Sequence, residues 1–226
     1  MKNLDKFLIS LISIFIAVGV ALNIREQYSI DKSKLPSKLE ANSKFQSWLS
    51  NLEDKGLDLE ADKFEYVEEN DVFNTVNLST DSIDNENSRK NYEANMTELL
   101  KFKESAVSPN EREIVNFTNS DRFGFFQNEV FFYGLREDRI LRIKLADCAG
   151  VEVCNFHRAS FLDNHVFFII ELSLKDRQLA STNPCTLDQV CEYTFKAHLV
   201  DLNNNSRTVY ESETVNDTFL NIKKKL

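Results

Sequence analysis

The chain has 226 residues, a formal net charge of −9 and only three histidines. An acidic surface repels phosphate backbones, and no basic patch interrupts it, so direct binding to nucleic acid is disfavoured. Eighteen Phe and six Tyr supply a core, whereas five Gly and three Pro argue against collagen-like or loop-dominated architectures.

From Phe7 to Ile24 no side chain is ionised. That run is just long enough to cross a hydrocarbon layer of about 30 Å. Lys2 and Lys6 precede it, which favours a cytoplasmic N-terminus with the remainder translocated. The expected element is an uncleaved inner-membrane anchor over residues 1–24. The alternative is a secretory signal cut after Ala21, which would release the chain. Either way residues 25–226 face an oxidising, extracytoplasmic space, periplasmic in the anchored case.

Residues 25–36 are polar, end at Pro36 and read as a linker. In the segment beginning SKLEANSKF, Ser37 and Glu40 have capping-box spacing, and Phe45, Trp48, Leu49 and Leu52 share one helical face before Gly56. This pattern predicts a helix over 38–54 packed on the domain's own core. Phe45 and Trp48 are also candidate partner-binding residues, able to grip a partner helix near the membrane. Residues 57–80 read as extended, 81–88 as a polar loop, and 89–103 as a second helix with Tyr92, Met96, Leu99 and Leu100 on one face. Residues 37–110 are thus a helix-containing region with some strand.

Beyond Pro109, over 111–226, β-branched and aromatic residues dominate in short runs, which predicts an antiparallel β domain. RFGFFQNEVFF (122–132) echoes RASFLDNHVFF (158–168) at an offset of 36, with Asn128 and Asn164 placed as turn residues. A strand–turn–strand hairpin repeat, blade-like in size, is expected. A further hairpin turns at Asn203-Asn204-Asn205, and Lys223-Lys224-Lys225 read as a solvated tail. The fold class is α+β: a transmembrane helix, one or two amphipathic helices and a predominantly antiparallel β domain with hairpin repeats.

Four cysteines fall in two pairs, each with five intervening residues. Zinc sites and redox motifs use tighter spacings, so disulfides are expected. Local closure, Cys148–Cys154 and Cys185–Cys191, is preferred to a nested Cys148–Cys191 and Cys154–Cys185 pairing.

No catalytic or metal motif emerges, and neither cofactor nor metal is expected. His157, His165 and His198 have no metal-pair spacing and read as surface or half-buried imidazoles. Glu171 and Asp201, near strand ends, are the carboxylates available for acid–base work. Five sequons begin at Asn77, Asn95, Asn116, Asn204 and Asn216. The expected function is non-enzymatic: a membrane-anchored extracytoplasmic protein-interaction module, an accessory or assembly factor of the cell envelope, whose partner is another envelope protein. A second expectation is a ligand-sensing regulator, with the phenylalanine-rich strands enclosing a small apolar ligand. One span followed by a helix and β-structure is similar in layout to membrane-anchored periplasmic regulators of the ToxS type. A third is an envelope hydrolase.

Overall fold

A computed structural model describes residues 32–74, 76–84, 86–117, 119–122, 125–148, 154–175 and 185–226. The apolar run over 7–24, its cleavage alternative and most of the linker lie outside the described residues. Among the described residues no helix is long and apolar enough to cross a membrane. Lys34–Leu226 forms one compact unit, so the region over 37–110 and the β domain over 111–226 share one fold.

The chain enters through a helical turn, α1 (Ser37–Glu40), then α2 (Ser43–Glu53). These are two elements where the capping-box spacing suggested one. Ser37 makes no cap: Asn42 does, its side chain accepting from the Lys44 and Phe45 amides. Gly56 stops the helix as expected. Its φ of 76° lets Leu57 N reach Leu52 O while Gly56 N reaches Glu53 O, the paired bonds of a Schellman motif.

Two six-stranded antiparallel sheets follow. The first contains β1 (Glu65–Asp71), β8 (Cys154–Phe161), β9 (Val166–Leu174), β10 (Val190–Asp201) and β11 (Ser206–Glu211), in the order β1-β11-β10-β9-β8, with β12 (Val215–Thr218) also on β10. The second contains β2 (Leu78–Ser82), β3 (Ser105–Val107), β4 (Glu113–Asn116), β6 (Phe125–Arg136) and β7 (Arg139–Asp147), in the order β2-β7-β6-β4-β3, with β5 (Asn119–Arg122) on β6. All strands of the second sheet lie in sequence between β1 and β8, so one sheet is nested within the other. Each is a four-strand meander closed on one side by an earlier edge strand. This arrangement replaces the expected blade-like repeat.

Apolar side chains divide into three cores, giving four layers: helix, sheet, sheet, helix. On the outer face of the first sheet, Phe168, Ile170, Phe195 and Tyr210 pack against Leu39, Phe45, Trp48 and Leu52 of α1 and α2. Between the sheets, Phe132 stacks on Phe167 with ring centroids 6.1 Å apart, joined by Val115, Ile143, Phe156 and Ile169. On the outer face of the second sheet, α3 (Glu86–Leu99) seats Tyr92 and Met96 on Ile114 and Tyr133. Leu100, expected on that helical face, lies past the helix end and is exposed. The C-terminal lysines belong to a short helix, α4 (Phe219–Lys225), rather than to a frayed tail. Thr218 caps it, and Phe219 and Ile222, one turn apart, sink into the first core.

The sequence echo does not survive in three dimensions. At an offset of 36 it equates Phe132, which faces the inter-sheet core, with Phe168, which faces the helices. Side chains alternate with a period of 2, so a displacement of one residue reverses every one of them. Asn164 does sit in the β8–β9 turn, but Asn128 lies within β6. A bulge beside His157 rephases β8, so that Phe156 and Phe161, five positions apart, both point between the sheets.

Both disulfides close locally, Cys148–Cys154 with Cα atoms 5.7 Å apart and Cys185–Cys191 with 6.5 Å. The first joins the end of β7 to the start of β8, pinning the point where the chain passes from the second sheet to the first.

Candidate functional site

Strand β10 alternates strictly. Tyr193, Phe195 and Ala197 face the helical layer, while Thr194, Lys196 and His198 face the other way, towards the second sheet. A sandwich normally fills its inter-sheet space with apolar side chains. Here the neighbouring strand also contributes polar groups to that face: Glu171 lies directly across from Lys196, and Ser173 across from Thr194. Phe156 marks the border with the apolar core, its ring 6.1 Å from that of His198.

Glu171, Lys196 and His198 form the floor of a cleft of about 420 Å³ between the sheets, walled by Val67 and Glu68 of β1, Lys144 to Asp147 of β7, and Arg207 of β11. His198 Nε2 lies 2.9 Å from Glu171 Oε2, both side chains being buried. Glu171 Oε1 also lies 3.5 Å from Cys154 Sγ, which places the pair beside the first disulfide. With Glu171 ionised, the imidazole donates its Nε2–H and is held in one tautomer, leaving Nδ1 as an acceptor. That Nδ1 has no hydrogen-bond partner among the described residues, and neither have the Ser173 and Thr194 hydroxyls. Unmatched polar atoms in a buried position cost about 1–3 kcal/mol each unless an ordered water, ion or ligand meets them.

The rim is charge-paired. Lys144 holds Asp147 at 2.6 Å. Arg207 reaches Glu68 at 3.3 Å and donates to Leu145 O at 2.6 Å, crossing from one sheet to the other.

The remaining expected residues have structural positions. Phe45 and Trp48 are buried under α2, so their rings are committed to the domain's own core rather than offered to a partner. Asp201 accepts from the Asn203 and Asn204 amides and so builds the β10–β11 turn. Phe132 of β6 and Phe167 and Phe168 of β9, among the phenylalanines expected to line a ligand pocket, are buried in cores. Among the described residues no cluster of His, Cys, Asp and Glu could hold a metal ion.

A second pair, buried Glu113 and half-buried His165, lies outside the cleft. His165 Nδ1 stands 2.6 Å from Glu113 Oε1. Burial raises the Glu113 carboxyl above its ordinary range, against the pull of His165, Arg136 and Arg112. Glu113 also explains Gly134, its partner across the ladder: a Cβ there would come within 2.8 Å of Glu113 Cγ and of Phe132 Cζ. The pair belongs to a set of ties between the sheets. Asn110 N donates to Asn164 Oδ1 at 2.9 Å, and Arg136 donates to Leu202 O at 2.9 Å. This is a latch holding the sandwich shut.

His198 was hidden by its own pattern. Thr194, Lys196 and His198 at period 2 read as a solvent-facing strand surface, and only the second sheet turns that surface into a cleft. No protein-family model matches the chain, and no curated protein or solved structure matches it.

Proposed function

We propose that the protein is a membrane-anchored, extracytoplasmic binding module and that the cleft over Glu171 and His198 receives a small polar ligand. The observation that carries this reading is the polar face of β9 and β10 turned inward, with His198, whose Nδ1 has no hydrogen-bond partner among the described residues, in the lining of the cleft. The apolar run over 7–24 supports the anchor, and two disulfides fit an oxidising compartment.

The full chain should stay with the membrane pellet through an alkaline carbonate wash. After solubilisation in detergent it should melt at a higher temperature with some members of a panel of small polar solutes, and not with bile acids or fatty acids. Release into the wash would contradict the anchor; a panel with no stabilising member would contradict the binding cleft.

A second reading, interaction with another envelope protein, is favoured by two apolar side chains beyond α3. Leu100 is 53% exposed and Phe102 42%. Pull-down from solubilised membranes should then recover a stoichiometric partner, lost when both become serine. Recovery of the chain alone counts against it.

A further inference from the structure

The hydrogen-bonding groups left over in the cleft define the ligand's chemistry, on the reading that the cleft is a binding site. Most of its carboxylates are already engaged: Glu171 accepts from His198, Asp147 pairs with Lys144 and Glu68 with Arg207. Lys196 differs. It is half-buried, flanked across the ladders by Glu171 and Glu211, yet its ammonium forms no ion pair or hydrogen bond with any described residue. An ammonium offers three donors and no acceptor, and the strongest group to meet it is a carboxylate.

The second unmet group has the opposite demand. With Nε2–H given to Glu171, His198 Nδ1 is a lone pair in a residue only 4% exposed, and it requires a donor. A hydroxyl or an ammonium supplies one. Lys196 and His198 are two residues apart on one strand face, about 7 Å between Cα atoms at the usual rise. The flexible lysine stem shortens the working distance. One compact molecule therefore spans both if its acceptor and donor are one or two bonds apart. An acceptor alone would leave Nδ1 unmatched, and a donor alone would leave Lys196 unmatched.

We infer that the cleft binds a small carboxylic acid carrying a neighbouring hydroxyl or ammonium group, its carboxylate on Lys196 Nζ and its donor on His198 Nδ1. The paired charges at the rim add no large field of either sign. Recognition thus falls to the two floor residues, and a bare anion gains only half of the site.

The test is a titration of the full chain in detergent with L-lactate, L-malate, glycine and L-serine, against acetate and ethylamine as single-function controls. At least one hydroxy or amino acid should bind tenfold or more tightly than either control, the difference of about one charge-assisted hydrogen bond. Lys196→Gln should weaken that ligand by at least tenfold, and Lys196→Arg should restore part of the loss. His198→Gln should weaken the hydroxy or amino acid while leaving acetate unchanged. Lys196 is partly solvated, so its variants report on binding even if the buried His198 variant folds poorly. Equal binding of acetate and lactate, or an unaltered affinity in Lys196→Gln, would overturn the inference. So would failure of all four acids. If a ligand of another class binds and His198→Gln abolishes its binding, the assigned chemistry is wrong while the binding cleft stands. If nothing binds, both fail.

Discussion

Trp48→Ala is expected to destabilise the domain by about 3–5 kcal/mol, a large part of the stability of an ordinary domain. The indole is 2% exposed, 5.5 Å from the Phe45 ring and 5.7 Å from that of Phe195, so its removal opens a cavity between α2 and the first sheet. Trp48→Phe is expected to cost much less. Its Nε1 has no hydrogen-bond partner among the described residues, so phenylalanine keeps most of the contact and removes an unmatched donor. Denaturant unfolding followed by circular dichroism measures both. Equal losses for the two variants would mean that the ring volume phenylalanine retains contributes nothing to this core. A loss under about 1 kcal/mol for Trp48→Ala would mean that α2 is not the lid of this core.

Acid should weaken the domain through His157, and the window follows from the sign of the shift. Burial, followed by the cations Arg158 and Lys55, lowers His157 to about 4. The unfolded chain takes up this proton near 6.5, the folded chain only near 4. The folded pKa is depressed, so the contribution is fully present above pH 6.5 and is lost as pH falls towards 4. Each pH unit within that window removes up to about 1.4 kcal/mol, or about 3 kcal/mol in all. His157→Gln abolishes the proton uptake, so its stability should change much less from pH 7 to pH 4. Glu113 runs the other way, since its folded pKa is raised. Its contribution is present below its unfolded pKa and fades as pH rises, and the difference between wild type and His157→Gln cancels it. Parallel pH profiles for the two proteins would show that His157 is not shielded from the proton.

Local chemistry carried the parts of the fold that are written over a few residues. The stripe of Phe45, Trp48, Leu49 and Leu52, the stop at Gly56 and the short disulfide rings each depend on neighbours within one or two turns of chain. The Asn203–Asn205 turn is of the same kind, with Asn205 in the left-handed region at φ 52°. The β6–β7 turn was less legible, because Glu137 and Asp138 adopt φ of 45° and 63° without the Gly or Asn that marks such a turn.

The nested sheets were not legible at all. Edge strand β1 pairs with β11, Glu65 opposite Glu211, across the whole of the other sheet, and nothing local in either strand names its partner. The site inherits that difficulty. Glu171 and Lys196 lie opposite each other on adjacent strands far apart in sequence, and the sense of their shared face depends on where the second sheet lies. A strand with one polar face ordinarily turns that face to water; β10 turns it to a cleft, and the pattern is the same in both cases.

The claim that this inward polar face is a binding site is tested most directly by nitrogen NMR of the histidine side chains in the full chain, with and without L-lactate or L-serine. The expected result is that the Nδ1 resonance of His198 moves on adding ligand, as its lone pair gains a donor, while Nε2, held by Glu171, shifts little and His165 and His157 stay in place. Saturating ligand that leaves both nitrogens of His198 unmoved would contradict it.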